Sequence, residues 1–189
     1  MDNGSPLSLT SDEAASPEVR EVFESVRGVF GFIPNWVRML APAPHIMKAL
    51  LDFEVRVAGD GKVPRALKEL AMTRTSELNG CNYCIAYHHH GLKACGVEAA
   101  KATAVGQRER PGGGVFSEEE SAVLDLTDEM TLNVRATPET VARVKELFGE
   151  AGAIELMTAI GMLNCFNRIA FSAGLHPDAW DTQGAQASV

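Results

Sequence analysis

Residues 64–96, PRALKELAMTRTSELNGCNYCIAYHHHGLKACG, predict two helices separated by a tight turn. Proline is well placed in the first turn of a helix, and Asn79-Gly80 suits the left-handed conformation that commonly ends one. A second helix then begins at or beside Cys81 and continues through IAYHHHGLKA. The segment is therefore expected to place Cys81, and Cys84 three residues later, at the start of a helix.

Helix start signals recur through the rest of the chain and predict an all-α protein. The tripeptides SPE (16–18) and TPE (137–139) each combine a capping side chain, a proline at the first helical position and an acid that the helix dipole favours. A serine and a glutamate three residues apart at 117–120 form a capping box. No run of alternating β-branched and aromatic residues predicts a strand. Helices are thus predicted over residues 17–29, 34–40, 44 to about 57 and 64–78, with others beginning near residues 81, 117 and 137.

The size and charge of the chain restrict its class and its partners. With 189 residues, 46% of them hydrophobic and 22% charged, it has the material for a single domain over residues 1–189. A formal net charge of -8 repels nucleic acid phosphates and anionic lipids. No segment approaches the roughly 20 consecutive apolar residues that span a bilayer, and the N-terminus lacks a signal-peptide pattern. We therefore expect a cytoplasmic protein without nucleic acid or membrane partners.

Several segments differ from the regular helical pattern. Residues 1–15 and 176–189 are expected to be flexible or arm-like, and QRERPGGGVF (107–116) is expected to be a flexible connection. Residues 153–171, in contrast, are apolar around most of the helix circumference. Such a helix is buried by its own chain or by another subunit, so we expect Cys165 in the core and a homo-oligomer.

Two cysteines and one histidine share a face of the helix predicted after the turn. At about 100° per residue, Cys84 lies about 60° from Cys81, and His88 falls between them. Cysteines at this spacing have Cα atoms about 5 Å apart, so a disulfide can form and open without refolding. The positive end of the helix dipole stabilises a thiolate, and His88 can accept or relay its proton. The pattern therefore predicts a redox-active thiol pair.

A carboxylate on the preceding helix would orient the imidazole of His88. Glu69 lies on a helix face with small neighbours, and folding back at the turn would bring it towards His88. Glu77 is the competing candidate, although it is next to the turn. His89 and His90 rotate progressively away from the two sulfurs, so they are expected to be solvated or to lie at an interface.

One acid, two cysteines and one histidine fit the spacing E-x11-C-x2-C-x3-H. This spacing resembles the signature of the AhpD-like alkylhydroperoxidases within the carboxymuconolactone decarboxylase family. The match is strongest over residues 64–96, and the preceding VFGFIPNWVRMLAPAPHIMKALLDF (29–53) is similar to the N-terminal arm of the peroxidase-related branch. The resemblance implies an AhpD-like helical bundle that assembles as a homotrimer or a homohexamer.

The resemblance also implies an antioxidant peroxidase without a cofactor or metal. Cys84 would be the attacking thiolate, oxidised to a sulfenic acid by an organic hydroperoxide or hydrogen peroxide, and Cys81 would resolve it as a Cys81–Cys84 disulfide. Glu69 and His88 would form the proton relay, and a thiol or a lipoyl-bearing protein would re-reduce the pair. A well-known peroxidase of the family has a histidine just before the second cysteine, where this chain has Tyr83. One relay member is thus missing or replaced by a phenol.

Three other interpretations stay open at this point. The cysteine pair and His88 are three of the four ligands that a structural zinc ion needs, with His89, His90 or Cys95 as the fourth. The chain is then a metal-binding helical oligomer without turnover, or alternatively a redox-sensing one. A lactone decarboxylase of the same fold is the third interpretation, but that activity does not call for a cysteine pair.

Overall fold

The computed structural model describes residues 6–107 and 114–178, and these residues form eight helices and no strand. The all-α class predicted from the sequence is therefore confirmed. Most of the predicted connection at 107–116 lies outside the described residues. The helices are α1 (Pro17–Phe30), α2 (Asn35–Leu40), α3 (Pro44–Ala58), α4 (Arg65–Asn79), α5 (Asn82–Ala94), α6 (Ala99–Gly106), α7 (Glu118–Leu132) and α8 (Pro138–Ser172).

Side-chain caps set the starts of α1, α7 and α8 where the sequence predicts them. Ser16 and Thr137 each accept a hydrogen bond from the backbone N–H three residues on. Ser117 and Glu120 form the complete capping box, with both hydrogen bonds present. The short α6 was not predicted, because its N-cap residue, Glu98, makes no side-chain capping bond and eight residues carry little periodicity.

Helix α4 lies at the centre of the bundle and packs against α5, α6, α7 and α8. Residues 68–76 are all buried, although several are polar. The hydroxyls of Thr73, Thr75 and Ser76 donate to carbonyls one turn earlier, at 2.7, 2.9 and 2.8 Å. These short local bonds satisfy the buried hydroxyls, so that polar side chains can surround a central helix.

Two buried cations join α4 to its surroundings. Lys68 donates to the carbonyl of Gly59 at 2.8 Å and pairs with Glu155 of α8 at 2.9 Å. Arg74 pairs with Asp128 of α7 at 2.7 Å and also donates to two carbonyls at the end of α6. A buried charge is tolerated when it is paired and hydrogen-bonded in this way. The α3–α4 loop and the end of α6 are thereby held against the central helix.

Helix α8 bends at Gly149, which has φ 73° and ψ 175°, a conformation that essentially only glycine adopts. After the bend, residues 153–171 form the apolar helix that the sequence predicts, and most of its large side chains are buried. One stripe faces solvent, however, and includes Ile154 and Phe171, which are 56% and 68% exposed.

The expectation that Cys165 lies in the core is wrong, since its side chain is exposed. Helix α8 contacts α4 and α7 through the face that carries Leu156, Ile160 and Leu163, and Cys165 lies outside that face. An apolar composition around most of a helix predicts burial on average, but it does not say which stripe a single-chain bundle leaves uncovered.

The described parts of both chain ends contact α2. The N–H of Thr10 donates to the carbonyl of Arg38 at 3.2 Å, and the N–H of Asn35 donates to the carboxylate of Asp178 at 2.8 Å. Residues 1–5 and 179–189, the remainder of the predicted arms, lie outside the described residues. Within the described part of the chain, no helix is long and apolar enough to cross a membrane.

Candidate active site

The turn between α4 and α5 places the cysteine pair at the start of a helix. Gly80 ends α4 with a φ of 67°, and its N–H donates to carbonyls in the last turn. Cys81 is the N-cap residue of α5, and Cys84 lies in the first turn. Both are free cysteines and are only 1% and 5% exposed. The predicted helix-turn-helix is therefore confirmed, with both sulfurs near the positive end of the α5 dipole.

The two thiols titrate as one unit because they hydrogen-bond to each other. That hydrogen bond lowers the pKa of Cys81 to about 7. The same contact, together with burial, raises the pKa of Cys84. The protons of coupled groups are lost in steps that belong to the pair. At neutral pH much of the protein therefore holds one proton and one negative charge between the two sulfurs.

The structure brings Glu69 and His88 together, as the folding back of α5 on α4 predicts. The Nδ1 atom of His88 lies 2.9 Å from Oε2 of Glu69, and both side chains are buried. Burial by itself raises the pKa of Glu69, but the hydrogen bond and charge of His88, with Arg65 nearby, leave that pKa below its ordinary value. When Nδ1 of His88 donates its hydrogen bond to the Glu69 carboxylate, Nε2 is the ring nitrogen that remains to accept a proton.

Glu77, the competing carboxylate, has a different partner. Its Oε1 atom lies 2.9 Å from Nε2 of His89, and both side chains are only partly buried. The choice between Glu69 and Glu77 as partner of His88 is thus settled by tertiary packing. His89 is engaged in this second pair at the edge of the α4–α5 contact.

A buried amide on α8 also reaches the cysteine pair. Asn167 donates a hydrogen bond to Cys84, which favours the thiolate, and it donates to Ser76 at 3.3 Å. Its carbonyl oxygen accepts from Asn79 at 2.9 Å. In the sequence, Asn167 is a polar residue within an apolar helix. A buried amide needs partners, and that requirement was the available signal.

A cavity of about 250 Å³ opens beside Cys84 and His88. Cys84 lines this cavity, whereas Cys81 does not. Trp36 and Phe166 pack together in its wall, with ring centroids 4.9 Å apart. Other apolar wall residues are Phe30, Val37, Leu51, Tyr87 and Leu163. A molecule that reaches Cys84 therefore enters surroundings that favour an apolar group.

Tyr83, which stands just before the second cysteine of the pair, also lines the cavity. Its hydroxyl accepts a hydrogen bond from the backbone N–H of Trp36 at 3.2 Å and interacts with Asp178. Burial raises the pKa of Tyr83 well above its ordinary value, so the phenol stays protonated. These contacts attach the α5 phenol to α2 and to the segment after α8, and they give Tyr83 a clear structural role.

One further titratable residue in the cavity wall is missing from the sequence-based prediction. Glu54 of α3 is half-buried and lines the same cavity as Cys84 and Glu69. It lies one turn from Leu51 and Ala58, which also line the cavity. An acid within the apolar stripe of an amphipathic helix was the signal that could have identified it.

Across residues 6–107 and 114–178, no three His, Cys, Asp or Glu side chains are arranged to hold a metal ion. The metal-binding interpretation therefore has no ligand set in this part of the chain. Cys95, a candidate fourth ligand, ends α5 as its C-cap residue and is partly buried.

Comparisons with known proteins agree with this fold. An uncharacterised protein of Bacillus subtilis (strain 168), YdfG, is 29% identical over 134 residues, which cover 70% of this chain and 89% of YdfG. A peroxidase-related protein with an alkylhydroperoxidase AhpD core, from Ralstonia eutropha JMP134, superposes with a TM-score of 0.83 at 20% identity, over 94% of each chain.

A second solved structure is that of a variant of the debrominase Bmp8 in complex with 2,3,4-tribromopyrrole. It has a TM-score of 0.79 and 19% identity, and the match covers 95% of this chain and 96% of Bmp8. The two structural likenesses concern the fold. Residues 44–128, which include Glu69, Cys81, Cys84 and His88, match the model of the carboxymuconolactone decarboxylase family. Residues 44–128 are thus similar to the carboxymuconolactone decarboxylase family, and the chain has an AhpD-like fold.

Proposed function

We propose that the protein is a thiol-dependent peroxidase that reduces organic hydroperoxides with its cysteine pair. The observation that carries the proposal is the arrangement around Cys84. Its thiol lines an apolar cavity, hydrogen-bonds to a second thiol that does not line the cavity, and shares the cavity wall with the Glu69–His88 pair. A peroxide in the cavity can reach Cys84, and Cys81 is already in place to trap the oxidised product.

The cycle begins with a proton exchange inside the pair. Cys81 takes the proton of Cys84, which leaves the thiolate on the sulfur that faces the cavity. This thiolate attacks the terminal oxygen of the hydroperoxide, the O–O bond breaks, and Cys84 becomes a sulfenic acid while the remaining alkoxide is protonated to an alcohol. The thiol of Cys81 then attacks the sulfenic sulfur, so that a disulfide forms and water leaves.

His88 and Glu69 support the thiolate at Cys84. With Nδ1 donating to Glu69, the imidazole can accept a proton at its other nitrogen and return it later in the cycle. The carboxylate holds the ring in that tautomer and stabilises its protonated form, as an orienting acid does beside a catalytic histidine. Glu69 and His88 line the same cavity as Cys84, so they can exchange protons with groups that react there.

The surroundings of Cys84 favour an organic substrate over hydrogen peroxide. Aromatic and aliphatic side chains line most of the cavity, and they contribute binding free energy only to a substrate with an apolar group. A dithiol, such as a lipoyl-bearing protein, would reopen the disulfide by thiol exchange. A cytoplasmic location would suit the cycle, because thiols are kept reduced there.

A second reaction deserves testing because of the aromatic cavity wall. The debrominase Bmp8, which has the same fold, is solved with a brominated pyrrole bound. By analogy, the Cys84 thiolate would attack a ring-bound halogen, the ring carbon would take up a proton, and Cys81 would displace halide as the disulfide forms. This alternative uses the same two sulfurs but requires a planar halogenated substrate.

The peroxidase proposal is tested by anaerobic reduction of the protein followed by addition of cumene hydroperoxide. We expect loss of both pair thiols, formation of cumyl alcohol and a Cys81–Cys84 disulfide in the peptide map. Cys84→Ser should abolish peroxide consumption. Cys81→Ser should still react once and leave a sulfenic acid on Cys84 that dimedone traps.

Cys165→Ser is the matched control, because Cys165 is an exposed cysteine outside the cavity wall. It should consume the peroxide at the rate of the parent protein. Unchanged consumption by Cys84→Ser would contradict the proposal. A brominated pyrrole tested in parallel, with bromide release as the readout, separates the two reactions.

A further inference from the structure

Glu54 is an acid in the cavity wall that has no part in the thiol pair or its relay. The other α3 residues in the wall are Leu51, Val55 and Ala58, which are apolar. Elsewhere on the same helix, Phe53 turns its ring towards solvent and is 39% exposed. Among the described residues, no group forms a hydrogen bond to the Glu54 carboxyl. Helix α3 thus places an unbonded carboxyl among apolar residues of the cavity wall.

The groups around Glu54 are few and can be named. From α4, Glu69 and Arg65 line the cavity, and from α5, Tyr83, Cys84, Tyr87 and His88 do so. The parts of the wall from α1, α2 and α8 contribute side chains that do not titrate, chiefly aromatic and aliphatic ones. A molecule held against Cys84 therefore meets the Glu69–His88 pair, the cation of Arg65 and the separate acid of Glu54.

We propose that Glu54 is the general acid that protonates the leaving oxygen when Cys84 attacks a hydroperoxide. The inference rests on the proposed peroxidase function and assigns it a further catalytic residue. Its basis is the position of an unbonded carboxyl in the wall of the cavity that exposes the thiol of Cys84. The substrates that need it are those whose leaving alkoxide is strongly basic, as in alkyl hydroperoxides.

The proton balance of the cycle requires a donor outside the cysteine pair, and His88 has taken no proton from that pair when Cys81 carries it. When the cysteine pair starts with one proton and one negative charge, that proton ends in the water released as the disulfide forms. The alkoxide that departs in the first step then lacks a proton of its own. Glu54 supplies it: the O–O bond breaks, sulfur is oxidised by two electrons, the alkoxide leaves as alcohol, and Glu54 is left as a carboxylate that solvent protonates again.

Desolvation keeps this acid available near neutral pH. Burial, followed by the charge of Glu69, raises the pKa of Glu54 to about 7, even though His88 acts in the opposite direction. The donor is protonated below that pH and is lost as the pH rises through it. The cysteine pair behaves in the opposite way, because the pKa of Cys81 is about 7 and the thiolate is lost as the pH falls. The rate with alkyl hydroperoxides should therefore pass through a maximum near neutral pH.

The experiment varies the leaving group in single-turnover reactions of reduced protein at pH 6. tert-Butyl hydroperoxide releases a basic alkoxide, whereas peracetic acid releases acetate, which needs no proton. For Glu54→Gln we expect the rate constant with tert-butyl hydroperoxide to fall by about 10²-fold, within the range usual for general acids. With peracetic acid the rate constant should change by less than about threefold, since proton donation no longer limits that step.

Two further variants make the comparison specific. Glu54→Asp retains a carboxyl and should recover part of the rate with tert-butyl hydroperoxide. Asp52→Asn, two residues earlier on the same helix, removes an exposed carboxylate that pairs with Arg56 and should leave both rates unchanged. We expect the rate of the parent protein with tert-butyl hydroperoxide to decrease at alkaline pH. This decrease should be absent in Glu54→Gln, a change that a purely structural role would not produce.

The outcomes separate this inference from the peroxidase proposal. Equal losses with both oxidants, or no loss with either, in folded Glu54→Gln would overturn the role of Glu54 while leaving the thiol chemistry intact. Failure of the parent protein to react with either oxidant would instead overturn the proposed function. Circular dichroism and a thermal melt of each variant establish that it is folded.

Discussion

Asn167 shows how one side chain on α8 tunes a thiol on α5. Its amide donates to Cys84 while its carbonyl oxygen accepts from Asn79. A hydrogen bond to a charged acceptor contributes about 1.5–3 kcal/mol. For Asn167→Ala we therefore expect peroxide-dependent disulfide formation to slow by about 10–100-fold, as measured by stopped-flow thiol loss.

Asn164→Ala is the control for this prediction. Asn164 belongs to the same amide cluster, accepting from Asn79 at 3.1 Å and donating to Thr131 at 3.1 Å, but it is not a hydrogen-bond partner of Cys84. It should lower stability somewhat without a matching loss of rate. Similar slowing in both variants would show that the effect comes from the cluster and not from the bond to sulfur.

The close approach of α4 and α5 is the element-scale feature that brings Glu69 to His88. At Gly91 of α5, an added Cβ would lie 2.6 Å from the carboxyl carbon of Glu69, so only glycine leaves room for that carboxylate. We expect Gly91→Ala to displace Glu69 from His88. It should lower the free energy of unfolding by about 1–3 kcal/mol, as overpacking usually does, and slow disulfide formation. Urea denaturation and stopped-flow thiol loss measure the two effects.

Gly161→Ala provides the matched substitution. Gly161 is an exposed glycine within α8, and an added Cβ there meets nothing within 4 Å. Replacing it should leave the rate unchanged and stabilise the helix by about 0.5–1 kcal/mol. If Gly91→Ala behaved in the same way, the packing argument for the Glu69–His88 contact would fail.

At the scale of the whole molecule, α8 leaves an apolar stripe exposed that is available for contact with another chain. Ile154 and Phe171 lie on it, and large exposed apolar surfaces commonly mark contacts between chains. We propose, as the resemblance implies, that the chain forms a homotrimer or a homohexamer. Sedimentation velocity of the parent protein should show one of these species at micromolar concentration, and Phe171→Glu should shift it towards the monomer.

Phe171→Leu, which keeps an apolar side chain, should retain the assembly. A parent protein that sediments with the 20.3 kDa mass of a single chain would contradict the oligomer prediction. Loss of helical circular dichroism in Phe171→Glu would point to unfolding instead, and Ile154→Glu then provides a second test of the same surface.

The sequence by itself determined the local features of this protein. Capping side chains, prolines and the Asn79-Gly80 turn act through neighbours within about one helical turn, so they define α1, α4, α7 and α8 before any packing is known. The shared face of Cys81, Cys84 and His88 follows from helical geometry alone. The fold-back expected at the turn and the E-x11-C-x2-C-x3-H spacing both pointed to Glu69 as the partner of His88.

Tertiary structure alone decided the contacts between residues far apart in the sequence. Glu54, Cys84 and Asn167 come from three different helices. Only the packing of these helices puts Glu54 in the cavity wall with Cys84 and brings Asn167 to the Cys84 thiol. The same packing left Cys165 exposed and paired Glu77 with His89. It also placed the Tyr83 hydroxyl where it accepts a hydrogen bond from the backbone N–H of Trp36. Such contacts depend on how whole helices are oriented, and helical periodicity carries no information about which face meets which neighbour.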